Sequence, residues 1–136
     1  MQISTYQAKY KTSIVDLILL IQREEFGSSI TLADQPDLLD IPAVYQWGNG
    51  NFWVALEADE VIGTIAAIDI GNQQLVLRKM FVAAPHRGRK KGVGKQLLDS
   101  VTRKNSFQPV DVLNLPPAFL RMKGDTLFYR LVLQPS

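Results

Sequence analysis

Seven basic side chains crowd into residues 70–98 (Arg78, Lys79, Arg87, Arg89, Lys90, Lys91 and Lys95), with no acidic residue among them. The same window carries Gly88, Gly92 and Gly94. Cations beside glycines suit an anionic ligand. A helix start adds unpaired N–H groups and the positive end of the peptide dipole, and glycine lets the backbone come close to a phosphate. The rest of the chain is charged differently. Residues 1–69 hold three basic and ten acidic side chains, and residues 99–136 hold five and three. An acidic first half argues against a nucleic-acid coat, which spreads positive charge over a whole face. One histidine, His86, and zero cysteines exclude disulfides, cysteine nucleophiles and thiolate or histidine-rich metal sites. The expectation is a protein without a metal.

Two phosphate motifs fail on the letters. A G-x-x-x-x-G-K-[ST] loop would need glycine where Arg89 stands and a hydroxyl where Gln96 follows Gly94-Lys95. A G-x-G-x-x-G fingerprint would need glycine at Leu97, and no acid lies about twenty residues on. The segment Arg89-Lys90-Lys91-Gly92-Val93-Gly94 instead has the form [RQ]-x-x-G-x-[GA].

The 136 residues suit one domain spanning 1–136, large enough for a real core. No apolar run approaches the ~20 residues needed to cross a bilayer, and Met1–Tyr6 lacks a basic-then-apolar leader. A cytoplasmic protein without membrane contact is expected. Ile3–Tyr6 reads as a first strand. Ile14, Leu17, Ile18 and Ile21 follow helical spacing, with Ser13 and Asp16 as a capping box and Gly27 as the stop. Residues 28–50 read as a loop with one short helix near Asp37–Tyr45. Phe52–Leu56, Val61–Ile70 and Leu75–Val82, joined by short turn-rich links, read as an antiparallel meander. Gly63 marks a bulge or a close backbone approach. A second amphipathic helix carries Val93, Leu97, Leu98 and Val101, residues 107–125 look irregular, and Thr126–Leu133 reads as a last strand.

With Lys79-Met80-Phe81-Val82 before the loop and Lys95-Gln96-Leu97-Leu98 after it, the chain resembles the GNAT superfamily of N-acetyltransferases over roughly residues 1–104. The N-terminal order of strand, helix, irregular segment and meander is similar too, with Phe52–Ala55 and Val61–Ile65 resembling its second and third strands. The resemblance implies an α/β fold, a mixed and mostly antiparallel sheet flanked by helices. It also implies acetyl transfer from acetyl-CoA to a primary amine, on a small molecule or an amino terminus. By the same resemblance, the amides of Arg89, Lys90, Lys91, Gly92, Val93, Gly94 and Lys95 hold the coenzyme pyrophosphate. Met80, Phe81 and Val82 pair with the pantetheine arm and polarise the thioester carbonyl. Gly88 belongs to the same loop, and the side chains of Arg87, Arg89, Lys90 and Lys91 attract the phosphates.

The resemblance breaks after the second helix. A strand-plus-helix unit of about 30 residues, which carries the family's tyrosine acid, has no counterpart here, so the fold is shortened in its C-terminal half and no catalytic residue carries over. The edge of Leu75–Val82 would then need the C-terminal strand 126–133, or a second copy in a homodimer, to cover it. Two alternatives stand beside transfer: a non-catalytic acyl-CoA binder, and a basic anion- or nucleic-acid-binding module using residues 78–95. Plainer readings stand beside single residues. Arg78 and Lys79 face water from a strand; His86 is a solvated loop residue, with a proton relay as the alternative. Tyr129 packs in a strand or replaces the missing acid. Glu24 and Glu25 end a helix or attract a cationic amine. Trp47, Phe52 and Trp53 line core or cleft.

Overall fold

The computed structural model describes residues 1–71, 74–88, 90–105, 107–110 and 129–133, with side chains described up to Val101. Strand β1 (Gln2–Thr5) leads through a 3-10 turn, Ala8–Tyr10, directly into helix α1 (Lys11–Phe26). That turn moves the helix start upstream: Tyr10 stands at the N-cap, and no side chain caps it. Ser13 and Asp16 therefore fall inside the helix, and the expected capping box does not form. Ile14, Ile18 and Ile21 are buried on one face. Gly27, at φ 58°, ends the helix as expected, its N–H and that of Ser28 both donating to the Gln22 carbonyl. Residues 36–45 form two short helices rather than one, α2 (Pro36–Leu39) and α3 (Ile41–Tyr45), each with a proline in its first turn. Asp40 between them accepts the Ala43 N–H at 3.3 Å.

The meander follows as β2 (Asn51–Glu57), β3 (Glu60–Gly71) and β4 (Gln74–Val82). Ala58 and Asp59, at φ 50° and 66°, make the two-residue turn between β2 and β3, the hand that matches strand twist. Helix α4 spans Val93–Asn105, and strands β5 (Phe107–Val110) and β6 (Tyr129–Leu133) complete a six-stranded sheet ordered β1-β2-β3-β4-β6-β5, with each neighbouring pair antiparallel.

Alternation along the strands builds a core on each face. Phe52, Val54, Leu56 and Phe81 pack with Ile14, Ile18, Leu38 and Tyr45 beneath α1, α2 and α3. Trp53, Ala55, Ile65, Leu75 and Leu77 pack with Val93, Leu97 and Val101 of α4. Gly63 is a close approach: a Cβ there would lie 3.1 Å from Leu97, 3.2 Å from Val93 and 3.2 Å from the Phe81 carbonyl. Trp47 departs from expectation, half exposed with its indole N–H on the Val44 carbonyl at 2.9 Å.

The C-terminal region corrects one expectation. Residues 107–110 are a strand within the stretch read as irregular, and β5 lies outermost, where Pro109 needs no ladder donor. Residues 111–128 lie outside the described residues. Beside β4 stands the chain's own β6, paired with Gln74–Leu77. From Arg78 onward, that edge of β4 has no strand against it among the described residues.

Candidate active site

Where β4 ends, the Ala83 N–H donates to Ile62 on β3 at 2.8 Å. Alternation then turns the N–H and C=O of Val82 to the opposite edge, where no strand stands among the described residues. The Val82 carbonyl is bound there by Arg87 Nε at 2.8 Å. A 3-10 turn, Ala84–His86, carries the chain to the basic loop. Gly88 (φ 118°) and Gly92 (φ 65°) occupy the left-handed region that favours glycine. Gly88 makes the loop compact, its carbonyl accepting the N–H groups of both Lys91 and Gly92 at 3.2 Å.

Those two amides are thereby used inside the loop, and the seat is narrower than the sequence suggested. The N–H groups of Val93, Gly94 and Lys95 have no protein acceptor among the described residues. The first helical donor after them is Gln96, on the Gly92 carbonyl at 3.0 Å. They open the α4 N-terminus onto a cleft of about 460 Å³ lined by Val82, His86, Arg87, Gly88, Gly92, Gly94 and Lys95. A Cβ on Gly94 would meet nothing nearer than Met80 at 3.5 Å, so the cleft stays open beside it. Free amides at a dipole's positive end, glycines bordering open space and an acid-free sequence window fit a diphosphate.

The basic side chains divide. Lys90 and Lys95 are exposed, the latter on the cleft wall. Lys91 turns its ammonium to the Pro85 carbonyl. Arg87 binds the Glu25 carboxylate at the end of α1 with both terminal nitrogens, Nη2 to Oε2 at 2.5 Å. The expected attraction of Arg87 to phosphates is therefore redirected to a protein carboxylate. That bond holds the Glu25 carboxyl below the ordinary carboxylate range and raises the Arg87 guanidinium. Arg89 lies outside the described residues. His86 is partly buried on the cleft wall rather than fully solvated. Tyr129 lies on β6 in register with Leu77.

A second cleft, of about 260 Å³, lies on the α1 side between Ile21, Glu25 and Phe26 and the end of β4, Met80–Val82. Val82 and Arg87 border both clefts.

Arg78 and Lys79 overturn their reading most clearly: 7% and 1% exposed, they are buried under α2 and α3. Asp37 Oδ2 lies 3.8 Å from Arg78 and 3.7 Å from Lys79, and accepts the Tyr45 hydroxyl at 2.5 Å. Lys79 donates to Gln35 at 2.8 Å, and Gln35 exchanges two hydrogen bonds of 3.0 Å with Gln22 of α1. The available signal was two adjacent charges interrupting an apolar alternation.

An antiparallel sheet packed between helices, with the end of β4 bordered by no described strand and followed by an amide-lined helix start, is an α/β architecture that comparison places in a family. The family model described as "Acetyltransferase (GNAT) domain" matches residues 48–130, and the chain belongs to this family. An acetyltransferase of the GNAT family from Staphylococcus aureus superposes with a TM-score of 0.77 at 30% identity, over 98% of this chain and 99% of that one. An acetyltransferase from Streptococcus agalactiae also gives 0.77, at 25% identity over 97% and 98% of the two chains. Among curated proteins, rat N-acetyltransferase 8F1 is 30% identical over 105 residues, covering 74% of this chain and 47% of the relative. Mouse N-acetyltransferase 8 is 32% identical over 106 residues, covering 74% and 46%. The chain spans about half the length of these curated relatives. Among the described residues, no helix is long and apolar enough to cross a membrane, and no three histidine, cysteine or acidic side chains cluster as a metal site.

Proposed function

We propose that this chain transfers an acetyl group from acetyl-CoA to a primary amine, on a small molecule or an amino terminus. The observation that carries the reading is the set of three amides, Val93, Gly94 and Lys95, without an acceptor among the described residues at the start of α4, where Gly94 and Lys95 line the cleft beyond the end of β4. These amides would hold the pyrophosphate, and Lys90 and Lys95 would add attraction at longer range. The thioester supplies the activated acetyl group. The Val82 N–H, turned to the open edge, is available to a carbonyl in the way an oxyanion donor requires. The second cleft gives the amine an approach from the α1 side. Arg87 holds the Glu25 carboxyl below the ordinary carboxylate range, which weakens it as a base, and attack on the thioester requires the amine in its neutral form. Proximity then supplies much of the rate.

Calorimetric titration with acetyl-CoA, followed by thiol release with pools of amines, tests the reading. Saturable binding with turnover supports transfer. Binding without turnover of any amine supports an acyl-CoA binder, and salt-sensitive DNA binding indifferent to acetyl-CoA supports the anion-binding alternative. At a hundred times its Kd the ligand should add about 2.7 kcal/mol of stability.

A further inference from the structure

Strand β4 changes its parity halfway along. Leu75 and Leu77 face α4, and strict alternation would send Phe81 to the same side. Instead Phe81 packs beneath α1, and Met80 and Val82 lie against the α4 core. The extra residue responsible is Lys79, at φ 53°, where the register with β3 shifts between Thr64 and Ala66. A lysine resists the left-handed region, so surrounding structure must hold it there.

It is held at both ends. The Thr64 hydroxyl donates to the Lys79 carbonyl at 2.7 Å, fixing the main chain to β3. The ammonium, buried beneath the opposite layer, donates to Gln35 at 2.8 Å and lies 3.7 Å from Asp37. Gln35 is itself fixed by Gln22 on α1 and by the Thr31 carbonyl at 3.3 Å. The bulge thus hangs between the sheet and the helical layer. Three residues later, the main chain of Val82 meets the open cleft.

We propose that Lys79 is a positioning residue: its tether to Gln35 and Asp37 holds the bulge that turns the Val82 main chain toward the edge of β4 opposite β3. The functional half of this inference rests on the acetyl-CoA reading; the structural half does not. A lysine that merely filled space would be replaced by an apolar side chain of similar length with no local effect on the end of the strand.

The experiment uses the full chain and its Lys79→Met, Gln35→Leu and Gln35→Glu variants. Backbone amide exchange is measured across the sheet, coenzyme A affinity by calorimetry, and kcat with acetyl-CoA. In Lys79→Met and Gln35→Leu, amides of residues 80–83 should exchange at least roughly tenfold faster, while those of β2 change by less than about twofold. Coenzyme A affinity, seated on α4, should change by less than about threefold, and kcat should fall by about tenfold or more. Gln35→Glu keeps an acceptor for Lys79 but loses the donors to Gln22 and to the Thr31 carbonyl, so it should fall between the parent and Gln35→Leu in exchange at 80–83 and in kcat. Unchanged exchange at 80–83, or faster exchange spread evenly over the sheet, would overturn the proposal. Should Lys79→Met fail to fold, the two Gln35 variants decide the matter alone. Loss of coenzyme A binding by the parent chain would sink the acetyl-CoA reading while the exchange data still judge the tether.

Discussion

The Arg87 guanidinium closes on the Glu25 carboxylate, Nη2 to Oε2 at 2.5 Å, joining the end of α1 to the segment after β4. Because Arg87 Nε also holds the Val82 carbonyl, one side chain ties together the helix, the strand end and the borders of two clefts. The Glu25 carboxyl is lowered chiefly by its hydrogen bond from Arg87. A lowered folded-state value contributes stability that is complete above the ordinary glutamate range, about 4.3, and is lost as pH falls through the lowered value. The melting-temperature gap between the parent and Glu25→Gln should therefore be constant from about pH 7 to pH 5 and close below about pH 4. High salt should narrow it, since the pair is partly exposed. Thermal melts across pH check both.

Two glycines should respond oppositely to alanine. At Gly50 a Cβ would lie 2.5 Å from the Ala67 carbonyl oxygen and 2.7 Å from that of Tyr45, both backbone atoms that cannot step aside. Gly50→Ala should cost about 1–3 kcal/mol in urea unfolding. At Gly94 the nearest atom is 3.5 Å away, so Gly94→Ala should leave stability equal or slightly higher.

Gly92, at φ 65° with open space around it, is required by conformation rather than by crowding. Gly92→Ala should lose about 1–2 kcal/mol and weaken acetyl-CoA binding by distorting the turn into α4. Calorimetry beside denaturant melts separates the two effects.

Lys90 and Lys95 make no ion pair among the described residues. Replacing both with alanine should change stability by less than about 0.5 kcal/mol each. Acetyl-CoA affinity should fall in low salt, with the difference from the parent shrinking near 1 M salt. Affinity indifferent to both lysines would remove them from the site.

The Asp37 carboxylate is shared by two buried cations and the Tyr45 hydroxyl. Asp37→Asn should destabilise by about 3–5 kcal/mol, because charge is left uncompensated in the interior. Tyr45→Phe, which removes one hydrogen bond, should cost about 1–2 kcal/mol. Urea unfolding of both variants checks the ranking.

Local patterns reach a certain distance into this molecule. The spacing of Ile14, Ile18 and Ile21, the stop at Gly27, the meander and the strand–loop–helix around Gly92 are all written in neighbouring residues, because side-chain periodicity and turn chemistry are short-range. So are the acid-free window and the glycines of the proposed diphosphate seat. The fate of each charge was decided elsewhere. Arg87 meets Glu25 across 62 residues, and Lys79 meets Gln35 across 44; no periodicity encodes such partners. The compact turn that uses the Lys91 and Gly92 amides, and the placing of β6 beside β4, likewise exist only once the chain has closed on itself. Sequence determined which segments could form a strand, a helix or an anion seat. Tertiary structure decided which cations face the cleft and which are held within the protein, because burial and ion pairing depend on what lies near in space.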